Sequence, residues 1–162
     1  AIELSREPRD EDFTDHLLPP CISRIFPVIE LHNHVMRGQQ ASAGELIANN
    51  AIHAGFISGK GGLTLSHCSE TMFDGARLEI FLNNQLLGQC EGQFLLGTIR
   101  LSLKWLWQDL LQSSERLHAG QIVLTGSVPN LFPVGDACCI RVESVPFGDV
   151  SAEVKNSTLR TC

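Results

Sequence analysis

Polar and apolar positions alternate from the first residue. Ala1, Glu3 and Ser5 fall on one face and Ile2 and Leu4 on the other, the period-two pattern of a strand over residues 1–7. A charged, proline-containing stretch follows at 7–15 and reads as a surface connection. A short helix is expected within 13–25, broken by Pro19-Pro20. The run 25–35, Ile-Phe-Pro-Val-Ile-Glu-Leu-His-Asn-His-Val, is β-branched and apolar with polar residues at its end, and predicts a buried strand. Ser42 and Glu45 then form a capping box ahead of a helix over 43–54, with Gly55 as its stop. Leu46, Ile47 and Ala54 mark the apolar face of that helix. Asn50 shares the spacing, so its amide turns inward or bonds nearby backbone.

The second half is patterned more strongly. Residues 77–82 alternate, with Leu78, Ile80 and Leu82 on one face. Asn83-Asn84 suits a tight turn, and 85–90 returns as the partner strand. Ile99, Leu103, Leu106 and Leu110 recur at helical spacing with Trp107 beside them, predicting a long helix over 97–118 that Ala119-Gly120 ends. Strands are expected at 121–125, 137–145 and 149–154, with a turn-rich loop at 126–135 and a frayed tail after Lys155. Strands, two helices and a hairpin without strict β-α-β alternation predict one α+β domain built on a mixed, largely antiparallel sheet.

Composition narrows the class of partner. The 162 residues are 43 % hydrophobic and 19 % charged, enough for one domain with a real core. A net charge of −6 opposes a general nucleic-acid surface. No apolar run reaches the length of a membrane span, and the first residues lack a secretory layout. The chain starts without Met, which suits a processed or truncated piece. Six cysteines without a Cys-x-x-Cys spacing read as reduced thiols of a cytoplasmic protein, several of them small core hydrophobes.

The candidate chemistry lies in the run 25–35. On a strand, Glu30, His32 and His34 share one face. Carboxylate and imidazole are both metal ligands, and both are costly to bury without partners. The alternative is a strand end running into solvent with its histidines hydrated.

Several motifs, in order along nearly the whole chain, resemble one family. Ile122-Val123-Leu124-Thr125-Gly126-Ser127, Pro133-Val134-Gly135-Asp136 and Gly148-Asp149-Val150-Ser151 look like the end of 2-keto-4-pentenoate hydratases. Pro27-Val28-Ile29-Glu30 looks like that family's Pro-Ala-Ile-Glu, and Ile47-Ala48-Asn49-Asn50-Ala51 like its Ile-Ala-Asp-Asn-Ala. Leu82-Asn83-Asn84 to Gly88, Leu96-Gly97 and Trp105-Leu106 match its hairpin and following helix. The family belongs to the fumarylacetoacetase superfamily, with 4-oxalocrotonate decarboxylases as near relatives. The resemblance implies a mixed β-roll with flanking helices. It also implies a magnesium or manganese ion held by glutamates, which binds a small 2-keto acid and stabilises its enolate.

Carried onto this chain, the implied metal ligands are Glu3 and Glu30, and Asn50 and Ser127 shape the substrate pocket. The first glutamate of the family's Glu-x-Glu pair falls on Ala1. Asn49 stands where the family has Asp, and Ile52 where it often has Ser. The family's catalytic Lys and Asp lie in an N-terminal region that this chain is expected to lack, so no catalytic residue is assigned.

Three functions are therefore weighed. The first is a metal-dependent, hydratase-like domain acting on a small 2-keto or 2-hydroxydienoic acid, a lyase by class and by resemblance a homo-oligomer. The second is a non-catalytic relative serving assembly or ligand binding. The third is a cupin-like metal site of Glu30, His32 and His34, for which imidazole suits zinc, copper, iron or nickel.

Overall fold

The structure is a computed structural model that describes residues 1–14, 18–33, 41–67, 70–91, 93–126, 131–135 and 137–155. Every strand pair in it is antiparallel. β1 (Ile2–Leu4) lies between β2 (Ile22–Ile25) and β8 (Ile122–Val123), and β5 (Leu63–Thr64) extends that sheet beyond β2. A second sheet runs β10 (Gly148–Val154), β9 (Cys138–Val145), β6 (Arg77–Leu82), β7 (Gln85–Glu91). Among the described residues, β3 (Val28–His32) and β4 (His53–Ser58) form a separate two-stranded sheet. The helices are α1 (Ala43–Ala48) and α2 (Gln93–Gln112). The fold is α+β, as the pattern predicts.

Two apolar clusters hold it. The first joins Ile2 and Leu4 of β1 and Ile22 and Ile25 of β2 to Leu96, Ile99, Leu103 and Trp107 of α2. These four helix residues recur every three or four positions, so they form one stripe and bury together. The second cluster lies on one face of β6, β9 and β10 around Ile140, Val142 and Val150, with Ile29 of β3 packed against it. Cys21 is fully buried in the first cluster and Cys138 in the second, as small apolar side chains. Burial pushes the Cys21 thiol up to about 12.

Several expected boundaries move, each for a local reason. Residues 22–25 form β2 rather than part of a helix, and Pro27, which lacks an N–H, separates β2 from β3. The Ser42–Glu45 capping box is present, with both reciprocal bonds made. Yet α1 stops at Ala48, because Asn50, Ala51 and Ile52 take left-handed conformations at φ 49°, 52° and 57°. Gly55 accordingly lies inside β4 rather than ending a helix. No residue of α1 is buried, and Ile47 is 83 % exposed.

Helix α2 ends at Gln112, six residues short of the expected His118. The Glu115 amide donates to the Leu110 carbonyl at 2.9 Å and the Ser114 amide to that of Leu111 at 3.2 Å. With Ser114 at φ 59°, this is a Schellman ending built on serine rather than glycine. The hairpin forms as expected, with Asn83 at φ 47° and Asn84 at φ 68°. Gly59 is required by a close crossing: a Cβ there would collide with the Asp149 carbonyl oxygen of β10.

The supposed surface connection at 7–15 carries a buried charge. Asp12 sits on a single 3-10 turn (Asp10–Phe13) and is 1 % exposed. Arg6 reaches it with Nη1 to Oδ2 at 2.8 Å and Nη2 to Oδ1 at 2.5 Å, and the Arg9 amide donates to Oδ2 at 2.8 Å. Burial alone would raise the Asp12 carboxyl. The Arg6 guanidinium and Arg9 amide outweigh it and hold the group below the usual carboxylate range. Among the described residues, no helix is long and apolar enough to cross a membrane.

Candidate functional site

A cavity of about 740 Å³ lies between the two apolar clusters, within the range of about 300–1,000 Å³ typical of ligand sites. One wall is the inner face of the second sheet, with Leu78, Ile80 and Leu82 of β6 opposite Ser144, Val142 and Ile140 of β9. Leu95 and Ile99 of α2 close another side, and Leu131 to Val134 another. β3 lines the cavity along its whole length and brings Glu30 and His32 to it.

Period-two geometry puts Glu30 and His32 on one face, and His32 Nε2 lies 3.6 Å from Glu30 Oε1. A third group comes from β4. His53 is the cross-strand partner of His32, next to a register shift at Leu31, and its Nδ1 lies 2.7 Å from Glu30 Oε1. With Glu30 ionised, this is a charge-assisted bond from Nδ1–H that fixes the carboxylate's orientation. Both contacts fall on Glu30 Oε1, and among the described residues Oε2 has no partner.

The other expected site residues separate from this cluster. Glu3 stands opposite Arg24 in the β1–β2 ladder, and Arg24 donates from Nε to Glu3 Oε2 at 3.0 Å. Arg24 also donates to the Gly61 carbonyl and lies 4.3 Å from the centre of the Phe26 ring. Glu3 is not among the residues lining the cavity, whereas Ala1, two residues earlier on the same strand face, is. Asn50 is exposed rather than turned inward, and it too is absent from the lining. Ile52 is present there. Ser127 and His34 lie outside the described residues. His53 and Arg24 went unread in the sequence, since His53 fell inside an expected helix and nothing local marks Arg24 as the partner of Glu3. Thr125, buried and lining the cavity, is part of the Thr-Gly-Ser motif.

A 4-oxalocrotonate decarboxylase from Pseudomonas putida G7, complexed with magnesium and adipate, superposes with a TM-score of 0.74 at 20 % identity. The fold is fumarylacetoacetase-like. The match covers 94 % of this chain and 57 % of that one. The decarboxylase from the same organism complexed with calcium and acetate gives a TM-score of 0.72 at 19 % identity, over 94 % and 56 % of the two chains. The chain thus spans a little over half the length of these neighbours. No family model matches it, and no curated protein matches it in sequence.

The fumarylacetoacetase-like fold raises the question of a divalent ion. A magnesium or manganese ion takes its ligands mainly from oxygens. Here Glu30 is the one carboxylate residue among the described lining residues, and two imidazoles flank it. Glu3 is neutralised by Arg24 at 2.8 Å. Among the described residues, no three histidine, cysteine, aspartate or glutamate side chains group so as to hold a metal ion. The described donors therefore do not fit a resident magnesium or manganese ion on their own.

Proposed function

We propose that this domain is hydratase-like and acts on a small 2-keto or 2-hydroxydienoic acid by moving a proton at Glu30. One observation carries the reading: a carboxylate on the wall of an apolar cavity, oriented by His53 at 2.7 Å and keeping one oxygen free among the described residues. A 2-hydroxydienoate gives up its enol proton and takes one at its far carbon, forming an unsaturated ketone. Water then adds at the β-carbon. In this reading Glu30, held by His53, accepts the enol proton, while the apolar walls limit the access of bulk water to the intermediate.

The test is the absorbance decay of 2-hydroxypenta-2,4-dienoate, with and without magnesium and manganese, for wild type and Glu30→Gln. The expected result is turnover by the wild type and a loss of at least about 10²-fold in the variant. Equal rates in the two proteins would overturn the role of Glu30.

A second reading, a non-catalytic binding domain of the same fold, is favoured by the Arg24–Glu3 ion pair, which takes one of the two implied ligands. Absence of turnover from the wild type under every metal condition would select it.

A further inference from the structure

We infer that Gly55 and the left-handed residues Asn50, Ala51 and Ile52 act as positioning residues: they build a bulge that turns His53 onto the face of Glu30. The inference rests on the reading of Glu30 as the reacting carboxylate and adds the backbone that aims its partner.

Strand geometry is the first argument. Successive side chains alternate faces, and residues opposite each other in an antiparallel pair share one. Glu30 stands opposite Phe56, Leu31 opposite Gly55 and His32 opposite His53. Ala54 is passed over between the last two pairs, as the extra residue of a β-bulge. In a regular ladder Ala54 would face His32, and His53 would point to the other side of the ribbon, away from Glu30. With the bulge, His53 Nδ1 lies 2.7 Å from Glu30 Oε1. Bulges beside functional sites re-aim a side chain in this way.

The backbone is the second. Gly55 lies in the bulge at φ 143°, a conformation that L side chains rarely adopt. A Cβ built there would meet no atom within 4 Å, so the conformation requires glycine and crowding does not. Just upstream, Asn50, Ala51 and Ile52 are all left-handed. Asparagine tolerates that region, whereas alanine and β-branched isoleucine adopt it at a cost.

The third argument is what holds the strained turn in place. The Ile52 amide donates to the Asn49 carbonyl, and the Ile52 carbonyl accepts from the Asn33 amide, each at 2.9 Å. Asn33 directly follows His32, so this bond pins the turn to the end of β3 that carries Glu30 and His32. Ile52 also lines the cavity. Strain that is fixed from both sides at the wall of a cavity points to a functional constraint.

Proton–nitrogen correlation NMR of the histidines tests this without turnover, at mildly alkaline pH where an ordinary imidazole is neutral. The His53 signals are assigned by their loss in His53→Ala. In the wild type Glu30 should hold His53 as the Nδ1–H tautomer, and in Gly55→Ala the ring should revert to the Nε2–H form that free imidazoles favour. Gly55→Ala should also lower dienoate turnover by roughly tenfold, in kcat rather than KM, and have no further effect in the His53→Ala background. An Nδ1–H tautomer kept in Gly55→Ala, or a loss of turnover as large without His53 as with it, would overturn the inference.

Ala51→Gly makes the test independent of whether Gly55→Ala folds. Ala51 is exposed, and glycine removes the cost of its left-handed backbone. The unfolding equilibrium should shift about threefold toward the native state while His53 keeps its tautomer. A shift toward the unfolded state would count against the inference just as firmly.

The two layers fail separately. A tautomer change in Gly55→Ala beside absent turnover in every protein would sink the role of Glu30 alone. Glu30-dependent turnover beside an unchanged tautomer would sink the positioning role alone.

Discussion

Glu3 and Arg24 stand directly opposite each other on β1 and β2, and the guanidinium closes on the carboxylate at 2.8 Å. A cross-strand ion pair of this kind occupies the carboxylate that the family resemblance assigns to a metal. Both side chains are about one-third exposed, so the pair itself adds at most about 1 kcal/mol to stability. Glu3→Ala removes the ion pair alone and should cost no more than about 1 kcal/mol. Arg24 also bonds the Gly61 carbonyl and stacks on Phe26, so Arg24→Ala removes more than the pair and should cost about 1–2 kcal/mol. Urea unfolding of the two variants measures this, and equal losses would mean that the Gly61 and Phe26 contacts of Arg24 add nothing to stability.

His53 is a positioning residue for Glu30. A hydrogen bond to a charged group contributes about 1.5–3 kcal/mol, so His53→Ala should lower dienoate turnover by roughly 10- to 100-fold. His53→Gln keeps an N–H donor and should recover part of the loss. A purely structural role would show equal losses in both variants, tracked by their unfolding midpoints.

Asp12 ties the first segment of the chain down through Arg6 and the Arg9 amide. Arg6 is 37 % exposed, which screens the pair, so Asp12→Ala should cost about 2 kcal/mol in a urea titration rather than the full value of a buried pair. The native carboxyl is held below its ordinary value of 3.8. Its stabilisation is therefore complete above that pH and is lost as the pH falls from there through the native value. The wild type should lose stability over that acid window, and Asp12→Asn should lack this part of the loss.

Helix α2 offers a contrast within one element. Leu103 is fully buried, and Leu103→Ala should cost about 3 kcal/mol through lost burial and the cavity it leaves. Trp105, two residues on, is 67 % exposed, and Trp105→Ala should change stability by no more than about 0.5 kcal/mol. Thermal or urea unfolding of the two variants checks the assignment of faces.

Much of the architecture was legible because its causes are local. The alternation at 77–82 and the Asn83-Asn84 pair specify a hairpin within a few residues, and the Ser42–Glu45 box starts a helix from its own side chains. The recurrence of Ile99, Leu103 and Trp107 specifies which side of α2 is buried before any partner is known. Within the candidate site, the placing of Glu30 and His32 on one face followed in the same way from strand geometry.

What the tertiary structure alone decided depends on residues distant in sequence. Arg24 meets Glu3 from 21 residues away and His53 meets Glu30 from 23, each through a strand register set by packing and, at Leu31, by a shift in the ladder. Periodicity carries no information about which strand lies alongside which, so neither partner was visible along the chain. The early end of α1 has the same origin. Residues 53–58 are drawn into β4 by pairing with β3, which leaves Asn50 exposed on a left-handed turn instead of an inward helical face. Local preference chose the elements, and long-range pairing chose the company that each charged side chain keeps.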